Sequence, residues 1–131
     1  MYALPDLVLC LAVLMYVWLL VNVGRARKKY GVSSPAVTGN EDFERVFRAQ
    51  QNTLENMVMF VPLLYSFSRY VSPAWGALLG LVWVIGRVWY AIGYYAPTGK
   101  KRSPGFMLSA FALLLMLLGT LLGIGKELLG L

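Results

Sequence analysis

Four polar side chains at helical spacing could form one binding surface in an otherwise apolar chain. They are separated by three, four and three residues, and they are Arg45, Arg48, Asn52 and Glu55. Because an α-helix repeats about every 3.6 residues, this spacing places them on one face of a helix. Charged groups at the depth of a bilayer are costly unless they are paired or face a cavity. This polar stripe therefore predicts a site for a small charged ligand inside a membrane protein.

A second polar set follows in the third apolar segment, where Arg87, Tyr90 and Tyr94 are spaced three and four residues apart. If the second and third segments run antiparallel, Glu55 comes to the depth of Arg87, because each helical residue rises about 1.5 Å. A buried carboxylate without a cationic partner is costly. We therefore expect either Arg87 or a ligand ammonium to neutralise Glu55.

These polar groups have two interpretations. They could form only an internal ion-pair network that holds the helices together. The number of donors, however, exceeds what one carboxylate can bind, which favours a ligand with two carboxylates and one amine. Arginine holds a carboxylate through its planar fork, and glutamate holds an amine. Glutathione has this chemistry, although dicarboxylates and phospholipid headgroups also fit by charge.

The composition indicates a membrane protein. Of 131 residues, 59% are hydrophobic and 14% are charged, whereas soluble domains carry about 25% charged residues. A spanning helix needs about 20 residues, so the chain has room for about four spans. We therefore expect a single domain, residues 1–131. The absence of histidine and the single cysteine, Cys10, exclude histidine-based catalysis and the usual zinc sites, so we predict no metal centre.

The apolar segments predict an all-α fold, an integral membrane four-helix bundle. The predicted membrane spans are residues 4–23, 47–67, 75–95 and 106–125. Glycine pairs spaced four residues apart lie in the third and fourth spans, at Gly76 and Gly80 and at Gly119 and Gly123. Such pairs let helices approach closely in lipid, either within one bundle or between subunits.

Basic residues lie in two connections on one side of the predicted bundle. They are Arg25, Arg27, Lys28, Lys29 and Arg45 around the first connection and Lys100, Lys101 and Arg102 in the third. The opposite side carries Arg69 and Lys126. The positive-inside rule therefore predicts basic loops in the cytoplasm and both termini across the membrane, which fits a bacterial inner membrane or the endoplasmic reticulum. The net charge of +6 thus reflects topology rather than binding to nucleic acid.

Residues 43–56, with the sequence FERVFRAQQNTLEN, resemble the signature of one integral membrane family. This family is the group of membrane-associated proteins in eicosanoid and glutathione metabolism. The resemblance continues through the basic run 25–29, the pattern Arg87-x-x-Tyr90-x-x-Gly93-Tyr94 and the run 100–102 before the fourth span. It covers most of the chain. The sequence departs from the pattern at Asn56, where some relatives have an aromatic residue.

The resemblance implies a homotrimer that binds glutathione between neighbouring subunits, near the cytoplasmic face of the membrane. By this likeness Arg48, Asn52 and Glu55 hold the tripeptide. Gln50 and Arg27 are implied to lie nearby.

The same likeness implies that Tyr90 and Tyr94 contact glutathione from the third span of the adjoining subunit. The catalytic arginine of the family precedes the fourth span and corresponds to Arg102, whereas an ungapped comparison selects Lys101. A cation held beside the sulfur would lower the pKa of the thiol and stabilise the thiolate.

The implied activity is that of a glutathione transferase that conjugates glutathione to lipophilic electrophiles, with glutathione peroxidase activity towards lipid hydroperoxides in addition. The electrophile or lipid substrate would enter from the bilayer. Two other functions remain open by the same resemblance: a non-enzymatic lipid-binding scaffold, and an eicosanoid isomerase that uses glutathione as a cofactor. A transporter is disfavoured because the polar stripe is confined to the cytoplasmic half of the predicted bundle.

Overall fold

The computed structural model describes residues 1–97 and 100–131, and within these residues the regular structure is helical. The elements are α1 (Ala3–Tyr30), α2 (Glu41–Tyr70), α3 (Pro73–Tyr95), a 3₁₀ turn (Lys100–Arg102) and α4 (Ser103–Leu128). Short connections make successive α-helices antiparallel neighbours. The predicted all-α bundle is therefore confirmed.

Local sequence signals set the helix ends. α2 begins after Asn40, whose side-chain oxygen accepts a hydrogen bond from the backbone N–H of Phe43 at 3.0 Å. Ser72 caps α3 in the same way, with its Oγ 3.3 Å from the backbone nitrogen of Trp75. α1 continues beyond its apolar run to Tyr30 and is capped by Gly31, which has a φ of 68°. Glycine adopts this left-handed conformation without the steric cost of a Cβ atom.

Three of the helical segments are long and apolar enough to cross a membrane. They are Ala3–Tyr30, Pro73–Tyr95 and Lys100–Leu128. The predicted second span, residues 47–67, lies inside α2, but α2 does not reach the same apolarity. The reason is the polar stripe together with its neighbours, which occupy the first half of the helix, whereas the sequence becomes apolar from Met57 onwards.

Large side chains from all α-helices meet in the centre of the bundle. Leu19, Phe60, Leu64, Trp83 and Met116 are fully buried. The rings of Phe60 and Trp83 stack with centroids 3.9 Å apart and planes only 8° from parallel. In lipid, such close packing stabilises helix association through van der Waals contacts rather than through the exclusion of water.

The small-residue pairs serve packing within one chain. A Cβ atom added at Gly80 would come within 2.8 Å of Val8 and 3.1 Å of Leu64, and one added at Gly119 would come within 2.5 Å of Phe67. Gly76 and Gly123 face Ser68 and Tyr70 in the same way. Of the two interpretations of these glycines, the structure supports close packing inside the bundle.

Glycines also bring the backbones of α3 and α4 together. A Cβ atom added at Gly105 would lie 2.7 Å from the Cα atom of Tyr90, and one added at Gly86 would lie 2.8 Å from the backbone nitrogen of Ser109. Backbone atoms cannot rotate away as a side chain can. The two helices are therefore locked in register beside Tyr90.

Candidate functional site

A cavity of about 240 Å³ opens between α2, α3 and the start of α4. We call it the polar groove, and it is lined by Asn52, Glu55, Asn56, Met59, Arg87, Tyr90 and Phe106. The side-chain amide of Asn52 donates a hydrogen bond to the hydroxyl oxygen of Tyr90 at 2.8 Å. Asn52 and Tyr90 thus meet within one chain, whereas the family resemblance led us to expect Tyr90 from an adjoining subunit.

Arg87 forms the floor of the polar groove and is only 1% exposed. Its guanidinium donates two hydrogen bonds to the hydroxyl of Thr53, at 3.1 and 2.9 Å, and a weaker one to Ser109 at 3.5 Å. The guanidinium carbon also lies 4.0 Å from the centroid of the Tyr90 ring. A cation over an aromatic face is attracted to it, so Arg87 stabilises the position of the Tyr90 ring.

Arg87, one of the two predicted partners of Glu55, does not form an ion pair with it in the described part of the chain. Both residues line the polar groove, as their depth in the helices predicts. Arg87, however, is engaged by the hydroxyls of Thr53 and Ser109, and Glu55 has no ion-pair partner among the described residues. The carboxylate of Glu55 is exposed to the groove. An internal ion-pair network around Glu55 is therefore absent from the described part of the chain, and a ligand ammonium remains the predicted partner.

A second cavity of about 250 Å³ continues the polar groove along α2 towards the first connection. It is lined by Val37, Phe47, Arg48, Gln51, Asn52 and Glu55. Since Asn52 and Glu55 line both cavities, they form one continuous surface. Arg48 and Glu55 lie seven residues apart on this surface, which is about 10 Å along a helix.

An apolar groove of about 420 Å³ adjoins the polar groove between α2 and α4. It is lined by Asn56, Met59, Leu63, Phe106, Ala110, Leu113, Leu114 and Leu117. Asn56, Met59 and Phe106 line both grooves. The side-chain oxygen of Asn56 accepts a hydrogen bond from the indole N–H of Trp83 at 2.7 Å, which fixes the orientation of its amide.

Asn56, Met59 and Phe106 were missed as site residues by the sequence analysis. On α2, Asn52, Asn56 and Met59 are spaced four and three residues apart. That spacing places them along one helix face, so the period that revealed the polar stripe could also have revealed this wall. Phe106 follows Arg102 by four residues, and nothing in its own sequence context indicates that it faces a site.

Tyr94 and Arg102 connect to the polar groove through aromatic contacts. The rings of Tyr90 and Tyr94 meet edge to face, with centroids 5.5 Å apart. The guanidinium carbon of Arg102 lies 4.7 Å from the centroid of Tyr94. The 3₁₀ turn reaches this position because Gly93 leaves room for the backbone of Lys101, where any Cβ atom would collide.

Gln50 and Arg27 lie apart from the polar groove. The Gln50 amide donates to the hydroxyl of Tyr16 on α1. Arg27 donates to the carbonyl oxygen of Ala36 at 2.7 Å and stacks over Phe43, with the guanidinium carbon 4.9 Å from the ring centroid. Two residues turn a helix by about 200°, so Gln50 faces away from the polar stripe. One chain therefore does not bring Gln50 and Arg27 to the groove.

Sequence comparisons agree with this architecture. A profile of the MAPEG family, the group of membrane-associated proteins in eicosanoid and glutathione metabolism, matches residues 6–122. Microsomal glutathione S-transferase 2 of Homo sapiens is 45% identical over 107 residues, which are 82% of this chain and 72% of that protein. Leukotriene C4 synthase of Cavia porcellus is 38% identical over 119 residues, 91% of this chain and 79% of that protein. An uncharacterized protein of Synechocystis sp. is 50% identical over 120 residues, 92% of this chain and 87% of that protein. With its three apolar helices, the chain is an integral membrane protein that belongs to the MAPEG family.

Proposed function

We propose that this protein is a membrane-bound glutathione transferase that joins the thiolate of glutathione to lipophilic electrophiles. The observation that carries the proposal is the wall shared by the two grooves at Asn56, Met59 and Phe106. A hydrophilic tripeptide in the polar groove would meet a lipophilic molecule in the apolar groove at this wall. The names of the relatives, a glutathione S-transferase and a leukotriene C4 synthase, support the same class of reaction.

The polar side chains of the polar groove and of the second cavity that continues it fit glutathione. Glu55 supplies a carboxylate for the ammonium group, and Arg48 supplies a guanidinium for a carboxylate. Asn52 donates to the hydroxyl of Tyr90, so the proton of that hydroxyl can be donated to the ligand. These groups lie on one continuous surface of α2 and α3.

We assign the activation of the thiol to Arg102. A free thiol has a pKa of about 8.5, so only a few per cent is thiolate at neutral pH. A cation beside the sulfur lowers that pKa, and each pKa unit corresponds to about 1.4 kcal/mol. The contact of Arg102 with Tyr94, next to Tyr90, supports this role. Lys101 is the second candidate.

The proposed reactions balance without any further reagent. In conjugation, the thiol proton passes to solvent and the sulfur electron pair forms a bond to the electrophilic carbon. The leaving group departs with its electron pair or, in an epoxide, the ring oxygen becomes an alkoxide that takes up a proton. In the peroxidase reaction, two glutathione molecules are oxidised to the disulfide while a lipid hydroperoxide is reduced to an alcohol and water.

We propose that the protein is a homotrimer in which each glutathione lies between two subunits, at the cytoplasmic end of the bundle. The membrane would be the inner membrane of a bacterium or the endoplasmic reticulum. Gln50 and Arg27 lie away from the polar groove of their own chain, so they could contact the same ligand only from a neighbouring chain. Co-assembly of Glu55→Gln and Gln50→Ala subunits tests this arrangement. Mixed oligomers should bind glutathione better than either parent, because one interface then combines the intact residues of both. Binding no better than the parents would exclude a shared site.

The ultraviolet absorbance of thiolate tests the function itself. Glutathione is added to detergent-purified protein, with Arg102→Ala and Lys101→Ala as matched variants. We expect a thiolate band that Arg102→Ala abolishes and Lys101→Ala retains, and conjugation of an added electrophile in proportion to it. Loss of the band only in Lys101→Ala would move the assignment to that residue. Binding without thiolate would contradict the transferase, and no binding at all would favour the lipid-binding scaffold.

Product analysis separates the transferase from the isomerase. The similarity to leukotriene C4 synthase makes eicosanoid substrates a reasonable choice of electrophile. A transferase consumes glutathione and releases a thioether, whereas an isomerase returns glutathione unchanged. Stoichiometric consumption of glutathione would support the proposal, and unchanged glutathione with converted substrate would replace it with the isomerase.

A further inference from the structure

A third polar cavity lies on another side of the bundle and shares no lining residue with either groove. It has a volume of about 340 Å³ and lies between the end of α1, the start of α2 and the end of α3. We call it the basic cleft, and it is lined by Asn22, Arg25, Ala26, Lys29, Tyr30, Asp42, Val46 and Tyr95.

The basic cleft lies where α1 leaves its apolar run. Asn22 is next to the end of that run, and Arg25 and Lys29 follow three and seven residues later on the same face. Trp18, one turn before Asn22, packs against Tyr95 with ring centroids 6.4 Å apart. Tryptophan and tyrosine favour the level of the lipid headgroups. The cleft therefore opens at the membrane interface, at the basic end of the bundle.

The polar groups of the cleft are arranged to receive an anion. The Asn22 amide donates to the hydroxyl oxygen of Tyr95 at 3.1 Å, so the hydroxyl can direct its own proton to another acceptor. Asp42, the acidic residue of the cleft, is paired with Arg45. This ion pair compensates the carboxylate, so the charges of Arg25 and Lys29 make the cleft positive.

We propose that the basic cleft binds the phosphate group of an anionic phospholipid. Arg25 and Lys29 would attract the phosphate, and the hydroxyl of Tyr95 would donate to one of its oxygens. An acyl chain would extend along Trp18 and Leu14, which precede Asn22 by four and eight residues and line the same side of α1. Basic pockets between helices at the cytoplasmic side are typical sites for such headgroups. This lipid site is independent of the proposed transferase function.

Quenching of Trp18 by brominated lipid tests the proposal in the full-length protein. The protein is reconstituted into phosphatidylcholine vesicles that contain a minor fraction of brominated phosphatidylglycerol or, in parallel, brominated phosphatidylcholine. The Trp18→Phe variant isolates the signal of this tryptophan. We expect stronger quenching by the brominated phosphatidylglycerol, because only that lipid adds an anionic headgroup.

Variants that lose the same number of positive charges distinguish lipid binding in the basic cleft from attraction to the positive surface as a whole. Arg25→Gln with Lys29→Gln should weaken the anionic lipid preference roughly 30-fold, since each cation contributes a factor of about five. Tyr95→Phe should weaken it about fivefold through loss of the hydroxyl donor. The control, Lys28→Gln with Lys100→Gln, removes the same charge at the same end of the bundle and should retain most of the preference. Circular dichroism checks that every variant keeps its helices.

Three results would overturn the proposal. Equal loss of the preference in both charge-matched double variants would reduce it to non-specific attraction to the surface. Equal quenching by the two brominated lipids in the unmodified protein would exclude selective binding. Full retention of the preference in Arg25→Gln with Lys29→Gln would place the anionic lipid outside the basic cleft.

Discussion

The two sides of the bundle are built differently. Where α3 meets α4, backbone packs on backbone, because Gly86 and Gly105 leave no space for a Cβ atom. α1 packs through side chains such as Leu19, and a Cβ atom added at its Gly24 would meet nothing within 4 Å. The polar groove belongs to the first side and the basic cleft to the second. A rigid wall thus lies beside the proposed chemistry, and side chains that can adjust lie beside the proposed lipid.

Tyr90 shows what the rigid side provides. Its backbone contacts Gly105, its ring lies over the guanidinium of Arg87, and its hydroxyl accepts from Asn52. Three elements of the bundle therefore fix one side chain of the groove. The hydroxyl of Tyr95 in the basic cleft, by contrast, is held by the side chain of Asn22. A site that orients a reactive group benefits from the first construction.

The largest effect should come from filling the α3–α4 contact. Gly105→Ala would force the backbone of α4 away from Tyr90, and we expect a loss of about 3 kcal/mol in the free energy of unfolding. Gly24→Ala is the matched control on α1, where alanine should stabilise the exposed helix by about 0.5–1 kcal/mol. Denaturant unfolding followed by circular dichroism in detergent measures both. Similar stabilities for the two variants would refute the contrast between the two sides.

The fold follows from the sequence because its signals are local. Apolar runs of spanning length predict α1, α3 and α4, and the caps at Asn40 and Ser72 mark where helices begin. The partners of the helices depend on how each helix is rotated about its axis, which a single sequence does not specify. The glycines illustrate this limit: spacing identified Gly80 as a packing residue, but its partners Val8 and Leu64 are visible only in the structure.

A change of charge in the polar groove should have the next largest effect. Glu55→Gln keeps the shape of the side chain and removes the charge that we assign to the ligand ammonium. A charged hydrogen bond contributes about 2 kcal/mol, so glutathione should bind roughly 30-fold more weakly. Isothermal titration in detergent measures the affinity. Glu41→Gln, exposed at the start of the same helix, should bind normally, and an unchanged affinity in Glu55→Gln would place the ammonium elsewhere.

The polar residues of α2 show why the candidate site was only partly predictable. Helical spacing correctly placed Asn52 and Glu55 on one surface. The same spacing turns Gln50 away from that surface. The family resemblance, by contrast, implied only that Gln50 lies near glutathione. Of the two predicted partners of Glu55, Arg87 donates instead to the hydroxyl of Thr53, and the ligand ammonium stays a prediction. Charge identifies attractive pairs, but it does not specify which acceptor a buried guanidinium can reach.

A smaller effect, on the free energy of unfolding, is expected from the hydrogen bonds between Arg87 and Thr53. Thr53→Val keeps the size of the side chain but removes the acceptor of two guanidinium donors. We expect a loss of about 1.5 kcal/mol in the free energy of unfolding, because the buried guanidinium loses the acceptor of two of its hydrogen bonds. Thr120→Val is the control, since that buried hydroxyl donates to the Met116 carbonyl within its own helix. Equal losses in the two variants would show that Arg87 does not depend on Thr53.

The smallest effect concerns the wall between the polar and apolar grooves. Asn56→Leu leaves the indole N–H of Trp83 without its acceptor, and Trp83→Phe removes that donor while keeping an aromatic ring against Phe60. The two changes should couple by about 1 kcal/mol in a double-mutant cycle of unfolding free energies. Additive losses would mean that the hydrogen bond contributes nothing to stability.

Because Asn56 lines both grooves, Asn56→Leu should also lower the KM for the more apolar electrophiles while the affinity for glutathione stays constant. A change in glutathione affinity alone would show that the amide belongs to the polar groove and not to the boundary between the two.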